Sequence, residues 1–257
     1  MTHLLAIEFP PIAHVIEWRD LLFKGTPFAV NKVVILMWLT VAIAFTFFYV
    51  GSRAPKLVPA GVQNIAESAV DFIRTGVILQ TMGPDGLPWT PFLLTLFTWI
   101  FVGNIWEIIP GAQMPTNARI AFPALMAITV WVLYHYVGIK TQGLLQYLKG
   151  NMFMPGVPKA MYVLVTPIET VTFLITQPLS LAVRLFANML AGHLLLVSFA
   201  TITAAVWSLS PTIVIWPFSF GLLVGLTAFE ILVAFLQAFI FVMLTGVYIG
   251  KSMHPEH

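Results

Sequence analysis

The chain has 257 residues, of which 59% are apolar and only 9% charged. Twelve basic and ten acidic residues cannot cover a water-facing surface of that length, since soluble domains carry about 25% charge; the mean hydropathy of +0.93 agrees. Soluble globular and disordered classes are excluded, a formal net charge of +2 does not suit nucleic acid as the main partner, and the lack of cysteine removes disulfides, thiolate metal sites and a cysteine nucleophile. This is the composition of a membrane protein.

A membrane helix needs roughly 20 mostly apolar residues to cross about 30 Å of hydrocarbon. Residues 1–32 form an N-terminal segment, expected outside, with no basic stretch ahead of an apolar core, so no cleavable signal peptide is expected. The first membrane helix is expected over 33–50, closed by Gly51-Ser52-Arg53. Residues 59–78 space apolar side chains at helical period with charges between them, which reads as an amphipathic surface helix. Further membrane helices are expected over 90–109, carrying Glu107, and over 120–139, ending at Lys140. From Ala160 to Gly250 only Glu169, Arg184 and Glu230 are charged.

The break Ser208-Leu209-Ser210-Pro211 splits this stretch into helices over 160–207 and 211–250, because Ser caps helix starts and Pro suits the first helical position. At 1.5 Å per residue they are about 72 Å and about 60 Å long, at least twice the bilayer, so both must be strongly tilted or broken. The fold class is thus all-α and polytopic, with about five membrane helices. No internal repeat stands out. Five spans place Arg53, Lys56, Arg74, Lys140, Lys149, Lys159 and Lys251 on one side, against Arg19, Lys24, Lys32 and Arg119 on the other. The excess of basic residues puts the C-terminus in the cytoplasm or its equivalent and the N-terminus outside.

Arg184 lies far from either end of its apolar stretch. Arginine at the bilayer centre costs about 2.5–3.5 kcal/mol on insertion scales, and it stays charged at any physiological pH. Snorkelling suits residues near a helix end, so a functional role is the better reading. Ser180, Arg184, Asn188 and Ala191 recur at spacings of four, four and three and share one narrow polar face. Small residues around the arginine let another helix approach closely. On the last helix Glu230 and Gln237 are seven apart and also share a face. Asn188 and Gln237 are equally compatible with interhelical hydrogen bonding, whereas an intramembrane Glu is usually functional.

If the last two helices run antiparallel with Arg184 and Gln237 at one depth, His193 lies about 13 Å outward and Glu230 about 10 Å outward. An acid and an imidazole would then meet on the outer side, with Glu107 near the outer end of the second span. Glu169 lies about 22 Å the other way. Carboxylate and imidazole exchange protons near neutral pH when their surroundings tune them; arginine does not. The pattern is two half-paths separated by a fixed positive charge.

Soluble-enzyme motifs are lacking. Gly246-Val247-Tyr248-Ile249-Gly250-Lys251-Ser252 imitates a phosphate loop, but it has one residue too few between its glycines and ends an apolar helix instead of following a strand. It is expected to serve helix packing, with an interfacial lysine. No zinc-protease, dinucleotide or triad motif is present, so no nucleotide site, hydrolytic site, cofactor or metal is expected. His135 has no obvious partner and is expected to be structural.

Two stretches resemble signatures of subunit a of the F-type ATP synthase: Leu179-Ser180-Leu181-Ala182-Val183-Arg184-Leu185-Phe186-Ala187-Asn188-Met189-Leu190-Ala191-Gly192-His193, and Leu236-Gln237-Ala238-Phe239-Ile240-Phe241-Val242-Met243-Leu244-Thr245. Asn104-Ile105-Trp106-Glu107-Ile108-Ile109-Pro110 is similar to the family's second-span motif. The likeness runs from about residue 33 to the C-terminus. It implies the static half of a rotary proton motor, packed against a c-subunit ring, with b subunits of a peripheral stalk and the rest of the FoF1 complex as partners. The membrane would be a bacterial plasma membrane or a mitochondrial inner membrane.

By this resemblance Arg184 is the essential arginine facing the ring carboxylates, with Gln237 and Asn188 beside it. His193 and Glu230 form the outer half-channel pair, here in the order imidazole then acid, where some members have the reverse. Glu107 matches an acid of the outer channel, and Glu169 resembles an inner-channel acid with a looser alignment. Ser180 belongs to the arginine's face. The residues leave two competing functions: a secondary transporter, which would show broken segments in corresponding halves, and a purely structural anchor, which would leave the buried charges unexplained.

Overall fold

The structure, a computed structural model, describes residues 20–26, 29–53, 55–109, 111–114, 116–153, 158, 161–207 and 211–253. The expected N-terminal segment therefore falls largely outside the described residues, as do the Ser208-Leu209-Ser210 break, Pro110, Arg19 and Lys159. Among the described residues the fold is helical, with a single isolated β-bridge between Leu22 and Val30. We number the helices α1 (Lys32–Ser52), α2 (Val62–Ile73), α3 (Thr90–Ile105), α4 (Ala121–Gln142), α5 (Leu144–Met152), α6 (Tyr162–Val171), α7 (Gln177–Val206) and α8 (Trp216–Met253). Five helical stretches are long and apolar enough to cross a membrane: Lys32–Ser52, Pro84–Ile105, Ala121–Gln142, Tyr162–Val206 and Ile213–Met253. Large apolar side chains such as Trp38, Phe45, Leu125, Val132, Phe229 and Leu232 are exposed along them, as lipid-facing helices require.

The helix boundaries depart from the apolar runs in instructive ways. The second membrane helix stops at Ile105, four residues short of the expected 109, so Glu107 stands in the turn beyond it. A residue ahead of proline is pushed out of the helical region, and Pro110 follows Ile109 in the sequence. The amphipathic stretch is α2 followed by a π-helical segment, Arg74–Ile78, and one α turn, Leu79–Thr81. The stretch expected over 160–207 is α6, a π-helical segment Thr172–Thr176, and α7. Pro178 follows that segment and has no N–H to donate to the preceding turn, and loosened turns of this kind are where π-bulges form.

The chain divides into two compact units. The first comprises Met1–Ile43, Trp99–Arg119 and Phe186–Gln237; the second comprises Ala44–Thr98, Ile120–Leu185 and Ala238–His257. In the first unit Leu36, Trp106 and Ala112 cluster in the core, and the Trp106 indole N–H donates to Thr40 Oγ1 at 2.7 Å. Thr203 and Ser219 share a buried hydrogen bond of 2.8 Å that joins α7 to α8.

The second unit is fastened by glycines and aromatics. A Cβ at Gly246 would lie 2.5 Å from Thr81 Oγ1, and one at Gly250 would collide with the Thr81 carbonyl. The Gly-x-x-x-Gly of the phosphate-loop imitation is thus a close-approach surface for the Leu79–Thr81 turn, and Lys251 beside it is exposed. The Ser252 carbonyl accepts from Thr141 Oγ1 at 3.1 Å and from Gln142 Nε2 at 2.9 Å, tying the end of α8 to the end of α4. His135 donates through Nδ1 to the Trp131 carbonyl at 2.9 Å. Its ring sits 4.4 Å from Trp131, 4.5 Å from Tyr134 and 4.5 Å from Phe173, centroid to centroid.

Gly138 is the tightest point of this unit, because a Cβ there would fall within the ring of buried Tyr147. Gly138→Ala is expected to destabilise the protein by about 1–3 kcal/mol, the usual cost of forced overpacking. Gly150→Ala, where a Cβ meets nothing within 4 Å, is expected to be neutral or slightly stabilising. Thermal unfolding of the two purified variants checks the contrast.

Candidate functional site: a carboxylate–imidazole cluster and an open-faced arginine

The first unit gathers three of the sequence-predicted residues. Glu107 occupies the turn after α3, His193 sits on α7 and Glu230 on α8, and they are 6%, 4% and 5% exposed. His193 Nδ1 stands 3.8 Å from Glu107 Oε1, within ion-pair range but longer than a hydrogen bond of about 2.7–3.2 Å. Glu230 packs against the backbone of α7 at Gly192: a Cβ there would lie 2.6 Å from Glu230 Oε2 and 2.7 Å from its Cδ and Oε1. The glycine before His193 therefore lets the acid lie against the helix backbone. Glu107 Oε1 and Glu230 Oε2 make no hydrogen bond with the described residues.

Burial, and secondly the Glu230 carboxylate nearby, push the Glu107 carboxyl up to about 8. A buried acid beside a second acid holds its proton well into the neutral range, because both desolvation and like charge disfavour the anion. The cluster opens onto a cavity of about 410 Å³, lined by Glu107, His193, Gln113, Thr201 and Thr227 among apolar side chains. Gln113 holds a left-handed backbone, φ 47°, uncommon for a non-glycine residue and often found at functional positions.

Arg184 belongs to the second unit and is exposed on α7, as is Ser180; Leu181, Ala182 and Leu185 make the buried side of the same helix. Its apolar flanks suggested a buried guanidinium, but the chain alone leaves it on an open face. Among the described residues no carboxylate stands within ion-pair distance of it, and Tyr248 of α8 lies within electrostatic reach. Glu169, on α6 in the same unit, is half-buried. Asn188 and Gln237 are half-buried in the first unit, and the Asn188 Nδ2 has no hydrogen-bond partner among the described residues.

Several contributors were not singled out from the sequence. Gly192 appeared only within the motif that ends at His193. Gln113, Thr201 and Thr227 carry no charge and so no warning. Asn104 and Asn117 are fully buried and bonded to each other, Asn117 Nδ2 donating to Asn104 Oδ1 at 2.7 Å; Asn104 was visible only as part of the motif ending in Pro110. No group of three or more His, Asp or Glu able to hold a metal occurs among the described residues.

Five apolar spans, a buried acid–imidazole–acid cluster beside a cavity, and a cation on an open helix face define an all-α polytopic membrane protein equipped to move protons. The model of the ATP synthase A chain family matches residues 34–250, and the chain belongs to that family. ATP synthase subunit a of Frankia alni is 39% identical over 243 residues, covering 94% of this chain and 84% of that protein. The subunit a of Rhodococcus erythropolis is 35% identical, covering 96% and 88%, and that of Hyphomonas neptunium is 34% identical, covering 98% of each. The chain is accordingly a membrane subunit of an ATP synthase Fo complex, the one that translocates protons.

The raised Glu107 carboxyl has a consequence for stability. Between about pH 4.5, its ordinary value, and about pH 8 the folded protein binds more protons at this site than the unfolded chain, so stability falls as pH rises. The contribution is fully present below about pH 4.5 and is lost as pH climbs through about 8. Glu107→Gln removes that titration. The unfolding temperature of the wild-type complex is expected to fall more steeply between pH 5 and pH 9 than that of the variant, the two drawing together at the acid end.

Proposed function

We propose that the chain is the static, proton-conducting half of a rotary motor, and that it presents two offset half-paths to a ring of c subunits. Glu107, His193 and Glu230 form the outer path, and the cavity against Glu107 and His193 is its water-filled mouth. Glu169 belongs to the inner path. Arg184 stands between them as the fixed charge that a proton does not pass, with Asn188, Gln237 and Ser180 beside it. The observation that carries this reading is the 3.8 Å approach of His193 to Glu107 with Glu230 buried alongside, since two acids and an imidazole out of water are costly unless they exchange protons or pair.

The open side of α7 supports a ring as the partner. Ser180, Arg184, Ala187 and Ala191 are exposed, at spacings of four, three and four along an unbroken helix. Small residues there let a second set of helices come close, and a guanidinium suits carboxylates that pass one after another. A proton enters by the outer path and neutralises a ring carboxylate, which turns into lipid. After nearly a full revolution the carboxyl meets Arg184 and releases its proton to the inner side. A potential of 100 mV supplies about 2.3 kcal/mol per charge for this cycle. The distribution of Lys and Arg supports an outward N-terminus, in a bacterial plasma membrane or a mitochondrial inner membrane. The b subunits of a peripheral stalk would hold the chain against rotation.

Arg184→Ala is expected to abolish proton-driven ATP synthesis while the chain still inserts and co-purifies with the complex. Synthesis at the native rate by vesicles carrying the variant would overturn the assignment.

A further inference from the structure

The turn that carries Glu107 is held from two sides. On one, Trp106 donates its indole N–H to Thr40 of α1 at 2.7 Å. On the other, the end of α3 is fastened to the short 3-10 helix Thr116–Ala118. Asn117 Nδ2 donates to Asn104 Oδ1 at 2.7 Å, and Thr116 Oγ1 donates to the Gly103 carbonyl at 3.3 Å. Gly103 is required for this approach, because a Cβ there would lie 2.5 Å from Thr116 Oγ1. The backbone carbonyl of Asn104 in turn accepts from the Glu107 N–H at 3.2 Å. One residue thus links the amide pair to the acid: Asn104 bonds Asn117 through its side chain and Glu107 through its backbone.

This is a poor device for stability alone. Both amides are fully buried, and Asn104 Nδ2 and Asn117 Oδ1 find no partner among the described residues. Buried polar groups left unpaired cost free energy, and an apolar pair of the same shape would close the loop without that cost. What an amide pair adds is direction, since a hydrogen bond fixes orientation where an apolar contact slides. We propose that Asn117 is a positioning residue for the proton path, acting through Asn104 to aim the Glu107 carboxyl at His193. The inference rests on the reading of Glu107 and His193 as proton carriers. Asn117 itself touches no reacting atom. The groups facing Glu107 are His193 from α7 and Glu230 from α8.

The test uses the whole ATP synthase in membrane vesicles, with ATP-driven proton pumping measured from pH 6 to pH 9. Asn117→Leu keeps the branched outline of the side chain and removes the amide. Asn117→Thr keeps a donor of shorter reach and is the second variant should the first fail to assemble. The Leu variant is expected to pump between about 10- and 100-fold more slowly, the usual penalty for misplacing a reacting group, with its pH profile displaced in the same sense as that of Glu107→Gln. The Thr variant is expected to show a smaller effect in the same direction. Glu107→Gln combined with Asn117→Leu is expected to be no slower than Glu107→Gln alone, since the positioned group is already gone.

Slower pumping with an undisplaced pH profile, or penalties that multiply in the double variant, would overturn the positioning role while leaving Glu107 as a proton carrier. Unchanged pumping by Glu107→Gln would overturn the proton-carrier reading and the inference with it.

Discussion

Burying a carboxylate is the constraint around which the first unit is organised. Glu107 and Glu230 are both almost wholly removed from solvent, and isolated anions there would be costly enough to expel or neutralise them. The surroundings lower that cost in three ways. His193 stands within ion-pair range of Glu107, Gly192 lets Glu230 lie against the α7 backbone, and the neighbouring cavity gives the pair access to polar lining groups. None of these alone makes the cluster stable as charges. On the proposed function this gathers two acids and an imidazole, groups that exchange protons, beside one cavity.

The packing elsewhere serves rigidity of a kind that does not rely on the hydrophobic effect. Lipid tails are as apolar as leucine, so helices in a membrane are held by close packing and hydrogen bonds. The second unit follows this rule. Gly246 and Gly250 admit the Thr81 turn, Gly138 admits the Tyr147 ring, and the Ser252 carbonyl takes two donors from the end of α4. His135 is absorbed into an aromatic cage by its Nδ1 bond to Trp131. A half-buried tyrosine–glutamine bond, Tyr134 OH to Gln177 Oε1 at 2.9 Å, ties α4 to the first turn of α7. This keeps the start of the arginine-bearing helix in register with its neighbours.

What could be read from the sequence was whatever contrasts with an apolar background. Membrane helices stand out by hydropathy, and Arg184, Glu107, His193 and Glu230 stand out because polar groups are rare there. Helix interruptions were less legible. Ile108 and Ile109 continue the apolar run past Ile105 although the helix does not, and the π-helical turn before Pro178 leaves hydropathy unchanged. The Asn104–Asn117 bond joins residues thirteen apart across a loop, a pairing no helical period encodes. The exposure of Arg184 was hidden for a different reason. Leucine and valine flanks are the same whether a helix faces lipid, its own chain or another subunit, so composition does not say what an embedded cation looks upon.

That exposure bears directly on the proposed motor. A guanidinium facing bare lipid at the membrane's centre costs about 2.5–3.5 kcal/mol on insertion scales, and the described residues offer it no carboxylate at ion-pair distance. Among the described residues the cation thus has no counter-charge, and Ser180, Ala187 and Ala191 on the same helix are also open. On the proposed function both are met by the same partner, whose carboxylates supply the counter-charge and whose helices cover the small-residue face. An internal acid would have stabilised the isolated subunit better, but it would also have satisfied the arginine permanently and removed its pull on each arriving carboxyl. On the proposed function, a charge with no carboxylate at ion-pair distance among the described residues leaves its attraction available to a moving partner, which is what separates a motor's stator from a sealed channel.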